Sequence, residues 1–434
     1  MLRELKQREL EMRPIKVGLI GAGAMGIGIA WQVNRTPGMK LVFVGDIDIS
    51  AAREAALSTG LDVREVKENP AISEVFGDEE VLVTGDPLGL MEQLGEHSLD
   101  VIVEASNTVG SAARYCLAAI ERGFDIVLMN AEVDLALGWL LHHRAKDRGV
   151  VMTSDAGDQH GVLRRMIDEV QLWGFEIVQA GNIKGFLNRY ATAQSLSEEA
   201  AKRNLSPIQC CAYTDGTKLS IEMACLANSV GLLPTVAGME GPRAADVREA
   251  LELFDFNAYG GTGRIDYLLG AEPEGGVYVV GRCDEPLQAG YMAYYKRGEG
   301  PYYLFYRPYH LCHIETPSAI AEAVILNRSV MKPDAGRITD VYAYAKRDLR
   351  HGELIRHAIG GDKFYGLVES CKEADAAGKV PLALLEAEGE AFPVMRDSLV
   401  KDQALKSAMV EIPDSFLRRK FDEQTELLRG EGVN

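Results

Sequence analysis

The sequence lacks an apolar run of about 18 residues, the length a bilayer-spanning helix requires, and no membrane segment is expected. It lacks any Cys-x-x-Cys pair, and its seven cysteines are an odd, scattered set. That pattern argues against a disulfide framework. Cys210 and Cys211 are neighbours, and a bridge between neighbours is strained, so reduced and buried thiols are expected. Positive charge is also short: 46 Lys and Arg stand against 64 Asp and Glu, a net charge of −18. Such a field repels phosphate backbones and argues against a nucleic-acid partner. An anionic substrate would have to be held by a local basic pocket. The first residues, "MLRELKQRELEM", are charged and helix-forming, with no signal-peptide core, and a cytoplasmic location is expected.

With 434 residues the chain is too long for one core, and several domains are expected. Residues 14–154 alternate apolar stretches ("IKVGLIG", "KLVFVGD", "EVLVTGD", "LDVIVEAS", "FDIVLMN", "GVVMTSD") with amphipathic segments such as "TVGSAARYCLAAIERG". Continuous apolar strands joined by helices predict a parallel sheet covered on both faces, a doubly wound α/β fold of Rossmann type. Residues 155–335 mix strands ("FEIVQAGNIKG", "GGVYVVGRCD", "PYYLFYRPYHL") with helices ("GVLRRMIDEVQLW", "TKLSIEMACLANSVG") and predict an α+β catalytic domain. "KPDAGRIT" reads as a linker. Residues 336–420 predict short strands and turns of a small β-rich domain, and "RRKFDEQTELLRGEGVN" a charged tail that frays.

"GLIGAGAMGIGIA" carries a G-x-G-x-x-G set in its required context, after a strand and opening a helix. Gly21 would allow the tight turn, Gly23 the approach of backbone amides to a pyrophosphate, and Gly26 close helix–strand packing. Ala24 and Met25 open the helix, whose N-terminus favours a phosphate. Asp46 ends the second strand, where a carboxylate accepts hydrogen bonds from the ribose hydroxyls of NAD and repels a 2′-phosphate. Arg35 and Arg53 flank that region and would soften the preference, so NAD is expected, with NADP as the alternative. The ends of later strands place Glu104, Ala105, Ser106 and Asn107 in "VEASNTVG", and Asn130, Glu132 and Asp134 in "LMNAEVD". Ligands of open α/β sheets sit beyond such ends, and Ala105, Ser106 and Asn130 are taken as cofactor contacts.

"GLIGAGAMG", "VIVEASNTVG", "MNAEVD" and "SDAGDQHG" resemble the amino-terminal half of homoserine dehydrogenase-like proteins. "GNIKG", "DGTKLSIEMACLAN", "GMEGPRA" and "RPYHL" resemble 1-deoxy-D-xylulose 5-phosphate reductoisomerase-like proteins, and "AKRDLRHGELI" and "GDKFYG" resemble their carboxyl-terminal SAF domain. The resemblance runs over about residues 14 to 410. It implies a nicotinamide enzyme acting on a small polyhydroxylated substrate, with hydride transfer coupled to skeletal rearrangement. Asn130-Ala131-Glu132 stands where homoserine dehydrogenases carry Asn-Lys. A sugar-acid or sugar-phosphate oxidoreductase running on NAD is therefore the expected activity. A homoserine dehydrogenase-like enzyme and a non-catalytic NAD-binding sensor are the alternatives, and a homo-oligomer is expected.

Lys184, set between glycines in "GNIKG", is the first candidate for chemistry: an ammonium there could exchange a proton with the reacting oxygen or stabilise its charge. Glu132 and Asp158 are the candidate carboxylate partners. With Asp155 and Glu222 they could also hold a divalent cation, which would assist rearrangement of a hydroxy ketone. Asn182, Lys218, Glu222, Arg243 and His310 are expected to contact substrate, the cations by gripping carboxylate or phosphate oxygens. In "RPYHLCHIE", a strand would put His310 and Cys312 on one face and His313 on the other, short of a tetrahedral zinc set.

Overall fold

A computed structural model of the chain describes residues 1–66, 80–95, 98–202 and 205–432. It divides into two compact units, Met1–Asp158 with Leu311–Lys332, and Gln159–His310 with Pro333–Asn434.

The first unit runs α1 (Leu2–Leu10), β1 (Ile15–Ile20), α2 (Ala24–Arg35), β2 (Met39–Gly45), α3 (Ile49–Leu57), β3 (Asp62–Glu65), β4 (Glu80–Thr84), α4 (Pro87–Gln93), β5 (Val101–Glu104), α5 (Gly110–Arg122), β6 (Asp125–Leu128), α6 (Ala131–Arg148) and β7 (Met152–Ser154). The strands form one seven-stranded sheet in the order β3-β4-β2-β1-β5-β6-β7, parallel throughout. This is the expected α/β fold of Rossmann type. The central strands are apolar at nearly every position because helices cover both faces; Val17, Leu19, Val101, Ile102, Val103 and Val127 are fully buried. One strand exceeds the six expected: β3, "DVRE", is an edge strand with exposed or half-buried side chains and no apolar run. Strand order reverses at β1, flanked by β2 and β5, and a doubly wound sheet binds ligands in the crevice opened there.

The second unit begins with α7 (Gln159–Leu172), β8 (Glu176–Lys184), α8 (Ser197–Lys202), α9 (Pro207–Thr214), α10 (Thr217–Val230), α11 (Ala250–Leu253), β9 (Arg264–Leu269), β10 (Val277–Arg282), α12 (Pro286–Tyr294) and β11 (Tyr302–Arg307). Its mixed sheet has the order β11-β10-β8-β9, with only β8 and β9 parallel. One face is sealed by a cluster that includes Ile183, Val247, Phe254, Phe256, Leu268, Tyr278 and Val280. The chain then returns to the first unit as α13 (Cys312–Leu326), which packs on α2: a Cβ added at Gly28 would lie 2.5 Å from the His313 ring. The strand expected through residue 312 therefore stops at Arg307, and Cys312 opens a helix. The alternation of faces assumed for residues 310, 312 and 313 does not hold.

The second unit continues with β12 (Thr339–Ala345), β13 (Phe364–Ser370), α14 (Cys371–Ala376), β14 (Val394–Met395), β15 (Val410–Glu411) and α15 (Phe416–Glu431). β12 and β13 pair antiparallel and are tied to α10: Thr217 Oγ1 accepts the Gly366 N–H at 2.9 Å, and Asn228 Oδ1 accepts the Thr339 N–H at 2.9 Å. The terminal segment is a helix, not a frayed tail. Ser415 caps it by accepting the Arg418 N–H at 3.1 Å, and Leu417, Phe421, Gln424 and Leu428 form a buried stripe among its charges. Among the described residues no helix is long and apolar enough to cross a membrane.

Candidate nucleotide and catalytic site

β1 ends at Ile20, and the chain turns through Gly21-Ala22-Gly23 into α2. Gly21 has φ +96°, and a Cβ there would stand 2.5 Å from the Ala105 carbonyl carbon and the Ser106 nitrogen. Only glycine lets this turn press against the end of β5. A Cβ at Gly26 would meet the Gly21 oxygen at 2.0 Å, so that glycine sets how closely α2 returns to the turn. Gly23 differs from both. It is exposed, its φ is −71°, and a Cβ there would meet no atom within 4 Å. The protein therefore has no packing reason for glycine at 23; the space above it is open. Gly23 is also the N-cap of α2, with no side-chain cap, and Ala24 and Met25 begin the helix half-buried. An open helix N-terminus under an open glycine fits a pyrophosphate.

Asp46, just past β2, has a structural task as well. Its Oδ2 accepts the Ala22 N–H at 2.7 Å, and its Oδ1 accepts the Asp48 N–H at 2.9 Å. One carboxylate thus braces the glycine turn and starts the next loop. A carboxylate has about four acceptor positions, and among the described residues these two bonds leave it further acceptor capacity. The two arginines near it are engaged elsewhere: Arg53 forms an ion pair with Glu65, and Arg35 lies over the Trp31 ring.

At the next strand ends, Glu104 is fully buried and accepts the Ser106 N–H at 3.0 Å. Burial pushes its carboxyl up to about 7. Asn130 accepts the Val133 N–H at 3.2 Å as the cap of α6 and donates to the Thr108 carbonyl at 2.7 Å, joining the loops after β5 and β6. Glu132 lies in the first turn of α6. Asp134, one turn on from the cap, is buried and receives the Ser154 hydroxyl proton, and burial raises it to about 6. Asp155 is fully buried beyond β7 and accepts the Gly157 N–H at 2.7 Å. Burial first, and the Asp158 charge second, push it up to about 7. Asp158 closes the unit, itself buried.

In the second unit Lys184 is the last residue of β8, half-buried, on the strand face that carries Asn182. Asn182 is fully buried and exchanges hydrogen bonds with the Gln159 amide, one at 3.1 Å. Lys218 and Glu222 follow each other by one turn of α10, both buried. His160, buried at the start of α7, and Glu222 present ligand atoms within 4.8 Å of each other. Gln159 and His160 were not singled out as site residues by sequence reasoning, although the "SDAGDQHG" motif contains them. Arg243 is not in this buried group. It is exposed on a segment that runs along β9, where the Leu269 N–H donates to the Pro242 carbonyl at 2.9 Å and the Ala244 N–H to the Leu269 carbonyl at 3.2 Å. The motif holding it, "GMEGPRA", is anchored by Asp266, which accepts the Glu240 N–H at 3.1 Å and the Gly241 N–H at 2.8 Å. His310 is half-buried in the loop after β11.

Residues 157–316 match the family model described as "Oxidoreductase DRL, catalytic domain". That segment, less than half of the chain, is what is similar to an oxidoreductase catalytic domain. A comparison with curated proteins returns no match. Among solved structures, a homoserine dehydrogenase from Thiobacillus denitrificans is 14% identical with a TM-score of 0.42, covering 90% of this chain and 98% of that one. A putative myo-inositol dehydrogenase from Sinorhizobium meliloti is 14% identical with a TM-score of 0.40, covering 72% of this chain and 90% of that one. The 1-deoxy-D-xylulose 5-phosphate reductoisomerase from Zymomonas mobilis is 13% identical with a TM-score of 0.37, covering 74% of this chain and 83% of that one. Similarity this distant assigns no activity.

Proposed function

We propose that the protein is an NAD-dependent oxidoreductase acting on a small polyhydroxylated substrate, a sugar acid or sugar phosphate. The observation that carries the nucleotide part is Gly23, an exposed glycine at an uncapped helix N-terminus with nothing within 4 Å of an added Cβ. The family match over residues 157–316 supports the oxidoreductase part. In this reading residues 14–154 bind the nucleotide and residues 155–335 handle the substrate.

The bound nucleotide would supply the hydride acceptor or donor. The chain's own groups do the rest. Backbone amides of Gly23, Ala24 and Met25 hold the pyrophosphate, aided by the α2 dipole. Asp46 accepts the ribose hydroxyls with its remaining acceptor capacity, and its charge works against a 2′-phosphate. The occupied state of Arg53 and Arg35 supports NAD over NADP. Ala105, Ser106 and Asn130 line the other side of the crevice. Lys184 holds or moves the proton at the substrate's carbinol oxygen, with Glu132 and Asp158 as the candidate bases. Asn182, Lys218 and Glu222 bind the substrate's hydroxyl and acid groups. Glu222 with His160 is the pair the second unit offers to a divalent cation. No observation carries the skeletal rearrangement, and the reading stops at hydride transfer.

The test is a hydride-transfer assay of the purified chain with NAD against sugar acids, sugar alcohols and sugar phosphates, following NADH absorbance. Turnover on a member of the panel supports the reading. NAD binding without turnover on any member would favour a sensor, and no binding of NAD would remove the nucleotide reading.

A further inference from the structure

The first unit holds a carboxyl that the reading above leaves without a task. Glu104 is the last residue of β5, paired with Ile20 of β1 and Leu128 of β6, at the strand where the sheet order reverses. Its side chain is 0% exposed. Oε1 accepts the Ser106 N–H at 3.0 Å, while Oε2 makes no hydrogen bond of good geometry. The Asn130 amide donates one N–H to the Thr108 carbonyl at 2.7 Å, and Asn130 and Ser106 offset part of the effect of burial on the Glu104 carboxyl. Among the described residues, the titratable groups shown to act on Glu104 or to feel its charge are Tyr115 and Cys116 on α5 and Glu132 on α6, none of them cationic. Tyr115 and Cys116 are both pushed up by burial and stay neutral near pH 7. Glu104 is thus a fully buried carboxyl whose hydrogen bonds offset its burial only in part. An uncompensated buried charge is costly, and an arriving cation relieves the cost.

The two faces of the nucleotide site differ in what they would meet. Asp46 closes the β2 side and suits a ribose, and the uncapped helix suits the pyrophosphate. The remaining half of a dinucleotide laid across the crevice would then fall on the β5 and β6 side, towards Ala105 and Ser106. That half carries the nicotinamide ring, which is cationic when oxidised and neutral when reduced. Glu104 leads directly into this side through the Ala105–Ser106 turn, which it holds by the Ser106 N–H and which presses on Gly21.

Resting on the nucleotide reading, we propose that Glu104 is a specificity-determining residue for the redox state of the cofactor: its buried carboxylate selects the oxidised, cationic nicotinamide over the reduced one. The selection operates only while the carboxyl is ionised. Because burial brings its titration close to neutral pH, the discrimination is weak below about pH 6 and grows above about pH 7.

The test measures the affinities of the full chain for NAD⁺ and for NADH, without substrate, from about pH 6 to about pH 8.5. The ratio favouring NAD⁺ should rise roughly tenfold over that range, and Glu104→Gln, which keeps an acceptor for Ser106 without a charge, should make it flat. A flat ratio in the wild type, or a slope that survives Glu104→Gln, overturns the assignment and leaves the nucleotide reading standing. Binding of neither nucleotide overturns both. If Glu104→Gln does not fold, carbon-13 titration of the labelled wild-type carboxyl decides. A lower midpoint with NAD⁺ bound than with NADH bound supports the proposal, and equal midpoints overturn it.

Discussion

Lys346→Met should be among the most damaging substitutions outside the nucleotide site. Lys346 follows β12, and its ammonium is 2% exposed beside an Asp215 carboxylate that is 0% exposed. It donates to Asp215 Oδ2 at 2.8 Å, to the Ala191 carbonyl at 2.8 Å and to the Gly361 carbonyl at 2.7 Å, with Cys211 Sγ at 3.2 Å. One side chain thus ties together α10's leading turn and two loops. Methionine fills a similar volume but supplies no donor, so the loss is electrostatic rather than a cavity. Asp215 would keep the Thr217 N–H at 2.8 Å and lose its counter-charge. Breaking a buried pair from one side costs about 3–5 kcal/mol. Burial already raises Asp215, and the ammonium holds it down; without Lys346 it rises further. A carboxyl raised in the folded state binds protons on folding, so the mutant's stability is greatest at low pH and falls as pH rises. The deficit should therefore be smaller near about pH 5 than near about pH 8. Replacing both partners, Lys346→Met with Asp215→Leu, should restore most of the stability, short of about 1 kcal/mol for the lost acceptor at the start of α10. Urea unfolding, with hydrogen exchange in β12 as the local readout, measures all three variants. A deficit below about 1 kcal/mol, or one indifferent to pH, would refute the view that this ammonium compensates a buried charge.

Four further outcomes are expected. Gly23→Val should leave unfolding unchanged, because its Cβ meets no atom within 4 Å, and should abolish NAD binding in a calorimetric titration. Gly26→Val should instead destabilise the fold itself, its Cβ falling 2.0 Å from the Gly21 oxygen; equal behaviour of the two variants would contradict the assignment of Gly23 to the ligand. Asp46→Ser should weaken NAD and improve NADP relative to the wild type, with some added loss from freeing the Ala22 N–H; a wild type that already prefers NADP would contradict it. Lys184→Ala should lower kcat roughly 100-fold or more while barely changing NAD affinity, and near-normal turnover would pass its role to Asp158 or Glu132.

Much of this protein is local in origin, and those parts were legible in the sequence. Apolar, β-branched runs such as "LVFVG" and "VIVE", bounded by turn residues, favour strands covered on both faces, and the glycine turn after β1 states its own geometry through spacing. The Rossmann-type sheet and the residues around Gly23 follow from that. β3 escaped because a polar edge strand has no hydrophobic period. α15 escaped because four buried side chains are diluted among charges, and their spacing acquires meaning only once a surface exists to receive them. "RPYHLCHIE" reads as one strand, yet α13 starts inside it because its apolar face packs on α2. Partners far apart in the chain are the clearest limit. Nothing local to "AKRDLRHG" says that Lys346 meets Asp215, or to "GNIKG" that Asn182 meets Gln159. Burial is likewise a property of the assembled fold. Glu104 looks like any strand-end carboxylate until β1, β6 and the Ser106 turn close around it and deny it water. Residue types and their local spacing set which chemistry the chain could do; the packing of distant segments set which charges are left dry enough for it to matter.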